Sequence, residues 1–207
     1  MTITNGYCTL SDLKSELNID EAVYQYDTKL ETAIAAASRQ IDGYCGRFFY
    51  QDTTVNSCTY YPEDYLECST DDISTTTGLI VKVDNDDDGT FETTLTVNTN
   101  FILLPTNAAS NWPVMPYTAI RLVDYGTSLF PQWTSGRPSV QVTAKFGFLA
   151  VPDDVEKAAL IQASQLYSAS AAVFGGLSFE AGILRVRDTL NPMAAALVER
   201  YVKPRVA

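Results

Sequence analysis

The chain has 207 residues, 46% of them hydrophobic and 19% charged, and its 25 acidic against 14 basic side chains give a net charge of −11. That length suits one generous domain or two small ones, and the apolar content is that of a folded protein rather than a disordered one. The negative balance argues against a protein that holds nucleic acid or an anionic membrane by bulk attraction, though not against a surface that DNA slides past.

The opening MTITNGYCTL has neither a basic start nor an apolar run, so no signal peptide is expected. The longest apolar stretches, such as Ala33–Ala37, fall far short of the ~20 residues that cross a bilayer. A soluble chain made in the cytosol is therefore expected. There Cys8, Cys45, Cys58 and Cys68, which form no C-x-x-C pair, read as free thiols rather than as disulfides or a zinc site.

In chain order, residues 9–46 read as helix–turn–helix. Thr9 and Asp12 have capping-box spacing ahead of Leu10, Leu13 and Leu17. A second helix is expected from Thr28, with Glu31 completing another capping box. Leu30, Ala33, Ile34, Ala37, Ile41 and Tyr44 form its apolar stripe. Ala35, Ala36, Ser38 and Gly43 keep its surface slim, and Gly43 and Gly46 bracket its end. From about residue 48 to 148 the period changes. Leu79–Val83, Thr93–Val97, Ala119–Val123 and Val140–Phe146 alternate like strands, with Asn, Asp, Gly, Pro and Ser clusters between them. An antiparallel region of five or six strands with exposed loops is expected. Pro152 then opens a helix whose Asp153, Asp154 and Glu156 suit its positive end, and Gly175-Gly176 stops it. Residues 177–190 read as irregular or β-like. Asn191-Pro192 supplies a cap and a first-turn proline for a last helix, with Leu197, Val198 and Tyr201 facing inward and Lys203-Pro204 closing it. The fold class is therefore α+β: a small helical bundle built from N- and C-terminal helices, with a long antiparallel β-rich insertion.

Catalytic chemistry finds little support. The chain has no histidine, which rules out Ser/His/Asp and Cys/His arrangements and removes the commonest general base near neutral pH. Asp71-Asp72 and Asp153-Asp154 are adjacent pairs that point apart, and they read as loop solvation and helix capping. No G-x-x-x-x-G-K-[ST] or G-x-G-x-x-G stretch occurs. No catalytic residue, enzyme activity or cofactor is expected.

Residues 84–92, DNDDDGTFE, carry the nearest thing to a metal motif. Asp84, Asp86 and Asp88 match the first three ligand positions of a calcium loop. Gly89 gives the turn, Thr90 offers a carbonyl, and Glu92 falls where a water-bridged ligand sits. Leu95 stands where the bidentate glutamate belongs, and the flanks read as strand, so a hairpin turn explains the same residues without a metal. Among 12 Tyr, 9 Phe and 2 Trp, the cluster Phe48, Phe49, Tyr50, Tyr60, Tyr61 and Tyr65 reads either as a binding platform or as a seam where helices meet sheet. Charge is uneven. Arg185, Arg187, Arg200, Lys203 and Arg205 against Asp188 and Glu199 give residues 185–207 a net +3, leaving −14 on the rest. A basic end on an acidic body suits contact with another protein, and cations near a helix C-terminus suit the dipole equally.

Particular residues in order say more. Tyr7-Cys8-Thr9-Leu10-Ser11-Asp12-Leu13-Lys14, followed by the Ala35–Ile41 helix closing on Asp42-Gly43-Tyr44-Cys45-Gly46-Arg47-Phe48-Phe49, resembles the start of the gp6-like head–tail connector (adaptor, head completion) proteins of tailed phages. Val81–Asp84 with its Asp/Gly turn, Met115-Pro116-Tyr117 ahead of Ile120-Arg121-Leu122, Trp133 ahead of Val140–Phe148, and Val151–Ala159 continue the resemblance in order. It covers most of residues 7–170 and lapses over 171–190.

The resemblance implies a virion structural protein of the neck, assembled in the host cytoplasm. It would be a homo-dodecameric ring below the portal that extends the DNA channel and docks the tail or stopper. Its partners would be the portal protein, the tail or stopper and itself. DNA would pass without sequence-specific binding, and no membrane is involved. Residues 1–47 and 149–207 would form the helical core with a C-terminal portal-docking segment, and 48–148 the β-rich insertion. Leu197, Tyr201, Lys203 and Arg205 are the expected partner-binding residues. The tips at Asp84–Gly89 and Thr106–Trp112 are expected tail-side or lumen loops. Two alternatives remain: another neck or tail-completion protein, and a calcium-dependent adhesion or carbohydrate-binding module using Asp84–Glu92.

Overall fold

A computed structural model describes residues 3–108, 110, 113–123, 129–132, 135–174 and 190–203. The chain divides into two compact units: residues 1–49 with 151–207, and residues 50–150. The fold class read from the sequence is the one observed: helices from the two ends of the chain together, and antiparallel sheets from the middle. No helix among the described residues is long and apolar enough to cross a membrane.

The first unit holds α1 (Leu10–Glu16), α2 (Asp27–Cys45), α3 (Asp153–Phe174), α4 (Pro192–Val198) and a 3-10 turn, Glu199–Tyr201. The Thr9/Asp12 capping box forms as expected, each residue satisfying a main-chain N–H of the other. The second box does not. α2 starts one residue earlier than Thr28, at Asp27, with Tyr26 as a cap that offers no side-chain bond. The cause lies in α1: the Lys14 ammonium, 1% exposed, pairs with Asp27 at 2.7 Å and donates to the Glu21 carbonyl at 3.2 Å. A buried cation needs such partners, and the first turn of a helix is a favourable place for the carboxylate. α2 ends on Gly46 at φ +67°, a left-handed conformation suited to glycine, whose N–H returns to the Asp42 carbonyl at 2.8 Å.

Small side chains pack this unit, although of the slim positions read from the sequence only Ser38 is buried, Ala35 being half-buried and Ala36 and Gly43 exposed. Ala33, Ala37 and Ser38 of α2, and Ala158, Ala159 and Ala163 of α3, are buried. Leu13, Leu30, Ile34, Ala37 and Ala163 form one core cluster, with Leu160, Leu166 and Tyr167 against it. Gln162, 2% exposed, satisfies its amide at both ends, donating to Gln40 at 2.7 Å and accepting the Asn191 N–H at 2.8 Å. A second cluster is aromatic: Phe49 lies edge-on to Tyr7 (5.7 Å, 89°) and to Tyr201 (5.5 Å, 84°). The Tyr7 hydroxyl donates to Asp42 and accepts the Phe49 N–H at 2.8 Å. Burial, then the bond to Asp42, pushes the Tyr7 hydroxyl's pKa up.

The second unit has seven strands in two antiparallel sheets, where the sequence suggested five or six in one region. They are β1 (Asn56–Tyr60), β2 (Glu67–Ile73), β3 (Ile80–Val83), β4 (Thr93–Leu95), β5 (Phe101–Leu104), β6 (Tyr117–Leu122) and β7 (Val140–Ala144). The sheet orders are β1-β7-β3-β4 and β2-β6-β5. The strands missed from sequence are β1, β2 and β5. β1 is uncharged and polar, β2 carries Glu67, Asp71 and Asp72, and β5 is a short apolar run beside turn residues. All three are edge strands, where propensity and alternation are weakest. The core of this unit includes Ile73, Val81, Ile120, Phe130, Val140 and Val142, each wholly buried.

Phe49 touches residues from both ends of the chain, so Phe49→Ala is expected to lower unfolding free energy by about 3–5 kcal/mol. Urea unfolding followed by helical circular dichroism checks this, and a loss under about 1 kcal/mol would remove Phe49 as the keystone.

Candidate partner-binding surfaces

The C-terminal segment is built from its cap inward. The Asn191 side-chain oxygen accepts the Met193 N–H at 2.8 Å, its amide donates to Gln165 at 2.6 Å, and Pro192 occupies the first turn. Ala194 and Val198 are fully buried, and the Lys203 N–H donates to the Cys45 carbonyl at 2.9 Å. Of the residues expected to meet a partner, Tyr201 is 1% exposed and its hydroxyl donates to Asp154 at 3.5 Å. It fastens the segment to the helical unit and presents no surface. Leu197 and Lys203 are half-buried, and Arg205 lies outside the described residues. The outward positions are Pro192, Met193 (69% exposed), Ala196, Glu199 and Arg200. Glu199 accepts the Tyr44 hydroxyl, and Arg200 lies 3.6 Å from Asp154. Exposure at Met193 gave no sequence signal, because a helix of seven residues is too short for its periodicity to fix a face.

The acidic loop between β3 and β4 is a hairpin organised by one carboxylate. Asp84 is fully buried: one oxygen accepts the N–H groups of Asp86 (3.1 Å) and Asp87 (2.8 Å), and the other that of Gly89 (2.9 Å). Burial by itself pushes this carboxyl up, but the converging N–H groups outweigh it and hold its pKa below the usual range. Ser135 and Arg137 hold the tip by bonds to Asp87 at 2.6 and 2.7 Å. Oxygens of Asp84, Asp86, Asp88 and Glu92 lie within 4.8 Å of one another. Burial, with Asp88 and Glu92 close by, raises the Asp86 carboxyl. Thr90 donates its N–H to Asp88 at 2.6 Å. Leu95 is buried in β4 opposite Val81, so the position that would complete a calcium loop faces the core. Turn chemistry accounts for the bonds these residues make. Of the second loop expected at a tip, Thr106–Trp112, the residues Ala109, Asn111 and Trp112 lie outside the described set, as does Trp133.

In the helical unit a cavity of about 380 Å³ is lined by Cys8, Thr9, Asp12, Asp153, Glu156 and Lys157, among others. Burial, then Asp153 and Asp12, raises the Glu156 carboxyl, while Lys157 is drawn to Glu16 at 3.1 Å. Burial, then Asp12 and Glu156, pushes the Cys8 thiol up to about 12. A thiol held protonated is a poor nucleophile. All four cysteines are free thiols, and burial also pushes Cys45 and Cys68 up to about 12. The aromatic cluster divides: Phe49 is core, whereas Tyr61 (62%) and Tyr65 (59%) are exposed.

Residues 7–85 match the family model described as phage gp6-like head-tail connector protein. That span holds the Tyr7–Lys14 and Asp42–Phe49 stretches and the Val81–Asp84 strand, while the motifs from Met115 onward lie beyond it. The resemblance to the connector family read from these residues is thus shown over the first two-fifths of the chain. No curated protein matches. Among solved structures, the whole chain overlays 95% of a chain from the structure described as "Neck of empty GTA particle computed with C6 symmetry", with a TM-score of 0.55 and 19% identity. At that identity the likeness is one of fold, and it spans both units.

Because Asp84 has a depressed pKa, its contribution to stability is present above the ordinary carboxylate range and is lost as pH falls through the folded-state value. Asp84→Asn is therefore expected to lower Tm at pH 7 and to narrow the gap from the unaltered protein as pH approaches 3, measured by thermal melts across that range. A gap that widens on acidification would contradict the assignment. Cys45 and Cys68, both fully buried, are expected to resist alkylation at pH 8 until the chain unfolds, which mass spectrometry of iodoacetamide-treated protein checks.

Proposed function

We propose that this chain is a head–tail connector of a tailed-phage-like particle, a neck subunit that assembles as a ring below the portal, extends the DNA channel and docks the tail or stopper. The observation that carries the reading is a coincidence: the connector family matches the N-terminal stretch, and the fold of the entire chain is that of a neck chain. The chemistry agrees with a surface for neighbours rather than a reaction centre. The chain has no histidine, and Cys8, Cys45 and Cys68 have thiols pushed up to about 12, so the thiol that lines the carboxylate-rich cavity, Cys8, is held protonated.

The ring is read as twelve subunits joined by head-to-tail contacts that close on themselves, a number that sixfold averaging of a neck admits. The charge suits a conduit. Residues 50–150 hold twelve Asp and Glu against four Lys and Arg, a net of −8, and negative walls let phosphates slide rather than bind. The segment Asn191–Arg205 is the proposed portal-docking element. Tyr201 fixes it from within, and Leu197, Lys203 and Arg205 meet the partner.

Electron microscopy of the protein mixed with its portal is expected to show a coaxial ring on the portal's tail-side face. Density elsewhere, or no complex, would contradict the reading. Deleting the segment is a poor test of docking because Val198 and Tyr201 belong to the core. Lys203→Glu with Arg205→Glu is the cleaner variant, expected to weaken portal binding about tenfold, chiefly through slower association, with the melting temperature unchanged. Unaltered affinity would move the docking site off this segment.

A further inference from the structure

Four strands stand at sheet edges in the β-unit: β1, β4, β2 and β5. An open edge presents unpaired N–H and C=O groups to other chains, and folded proteins usually blunt it with charge, a bulge, shortness or a covering turn. Three of these edges are so treated. β2 carries Glu67, Asp71 and Asp72, and its register shifts between Ser69 and Ile73. β4 has only three residues. β5 is met by its own preceding turn, where the Asn98 N–H donates to the Phe101 carbonyl at 2.7 Å and Val97 bridges to Phe101.

β1 has none of these protections. Its five residues, Asn56 to Tyr60, include no charge and no proline, and its pairing with β7 runs in unbroken register. Among the described residues its main-chain hydrogen bonds run only to β7. Asn56, Ser57 and Thr59 are exposed, and so are Val55 (45%) and Tyr61 (62%), which flank the strand. A carboxylate stands at each end. Asp52 accepts the Asn56 amide at 2.9 Å and the Phe146 N–H at 3.4 Å, and Asp71 accepts the Tyr60 hydroxyl at 3.1 Å while its own N–H donates to that hydroxyl at 3.4 Å. The five extended residues of the strand itself span about 13 Å. The whole unit is strongly negative, so charge decides what fits.

We propose that the outer edge of β1 is a β-augmentation site for an extended segment of a partner protein, one with a neutral, β-branched middle and a basic residue at each end. Main-chain pairing supplies the affinity, and Asp52 and Asp71 select the basic ends. Such a segment would extend the sheet to five strands and cover Val55 and Tyr61. The inference goes beyond the connector reading and does not depend on it, since any partner with this chemistry would serve.

The test uses the full-length, isotope-labelled protein and a seven-residue probe peptide of alternating valine and threonine with a lysine at each end. The expected result is protection from hydrogen exchange, with amide shift changes, confined to residues 55–61. A matching peptide ending in glutamates is expected to bind at least about tenfold more weakly. Asp52→Asn with Asp71→Asn should lose most of that preference, and Thr59→Lys should block the edge while leaving the rest of the amide spectrum in place. Equal binding of the two peptides, changes centred on β2, β4 or β5, or no protection at millimolar lysine peptide would each overturn the proposal. The glutamate comparison needs no variant, so a substitution that unfolds the protein leaves the test intact. A failed portal complex would leave the peptide result standing, and the reverse also holds.

Discussion

The helical unit is closed by Phe49, whose ring is held edge-on between Tyr7 from the start of the chain and Tyr201 from its end. About 150 residues separate Phe49 from Tyr201, and bringing such distant segments together costs loop-closure entropy that grows only slowly with length. Aromatic burial on this scale offsets that cost, since rings of this size dominate core energetics. Around the ring the polar groups are matched. The Phe49 N–H, the Tyr7 hydroxyl and Asp42 form one chain of bonds, and the Lys203 N–H caps the C-terminal end of α2 through Cys45. With the ends secured by their own contacts, the hundred residues between them form sheets of their own.

Residues of chemical interest are committed to holding structure: Asp84 to loop amides, Lys14 to Asp27, Gln162 to Gln40 and Asn191, and Cys45 and Cys68 to buried positions. Among the outward features are a neutral strand edge, aromatic side chains at Tyr61 and Tyr65, and a short helix with an exposed methionine. The likeness to a neck chain across both units and the connector family's match over residues 7–85 lead to the same reading.

Much of the helical part was legible because helices advertise themselves at both ends and along one face. Thr9 with Asp12, Asn191-Pro192 and Gly46 marked boundaries, and the Leu30–Ile41 stripe marked the buried side. Thr28 with Glu31 misled because spacing alone does not show that Lys14 needs Asp27, a tertiary demand that moved the helix start. The sheet was less legible. β3 and β7 are core strands whose branched residues alternate, whereas β1, β2 and β5 are edges whose sequence is set by exposure and turns. Charge at the C-terminal segment was readable, and Tyr201 was read two ways, as an inward-facing helix residue and as a partner anchor, of which the first holds. A tyrosine beside basic residues also looks like a binding anchor, and the position of Phe49 shows it to be a core ring.

Native-state hydrogen exchange across low concentrations of urea tests the closure most directly, because it reports whether distant segments open together. The account predicts that the amides of α2, of α3 and of residues 194–201 share one opening free energy and one urea dependence. Exchange of residues 194–201 through a much smaller opening, while α2 and α3 stay protected, would show that the end of the chain is an appendage and that the helical unit closes without it.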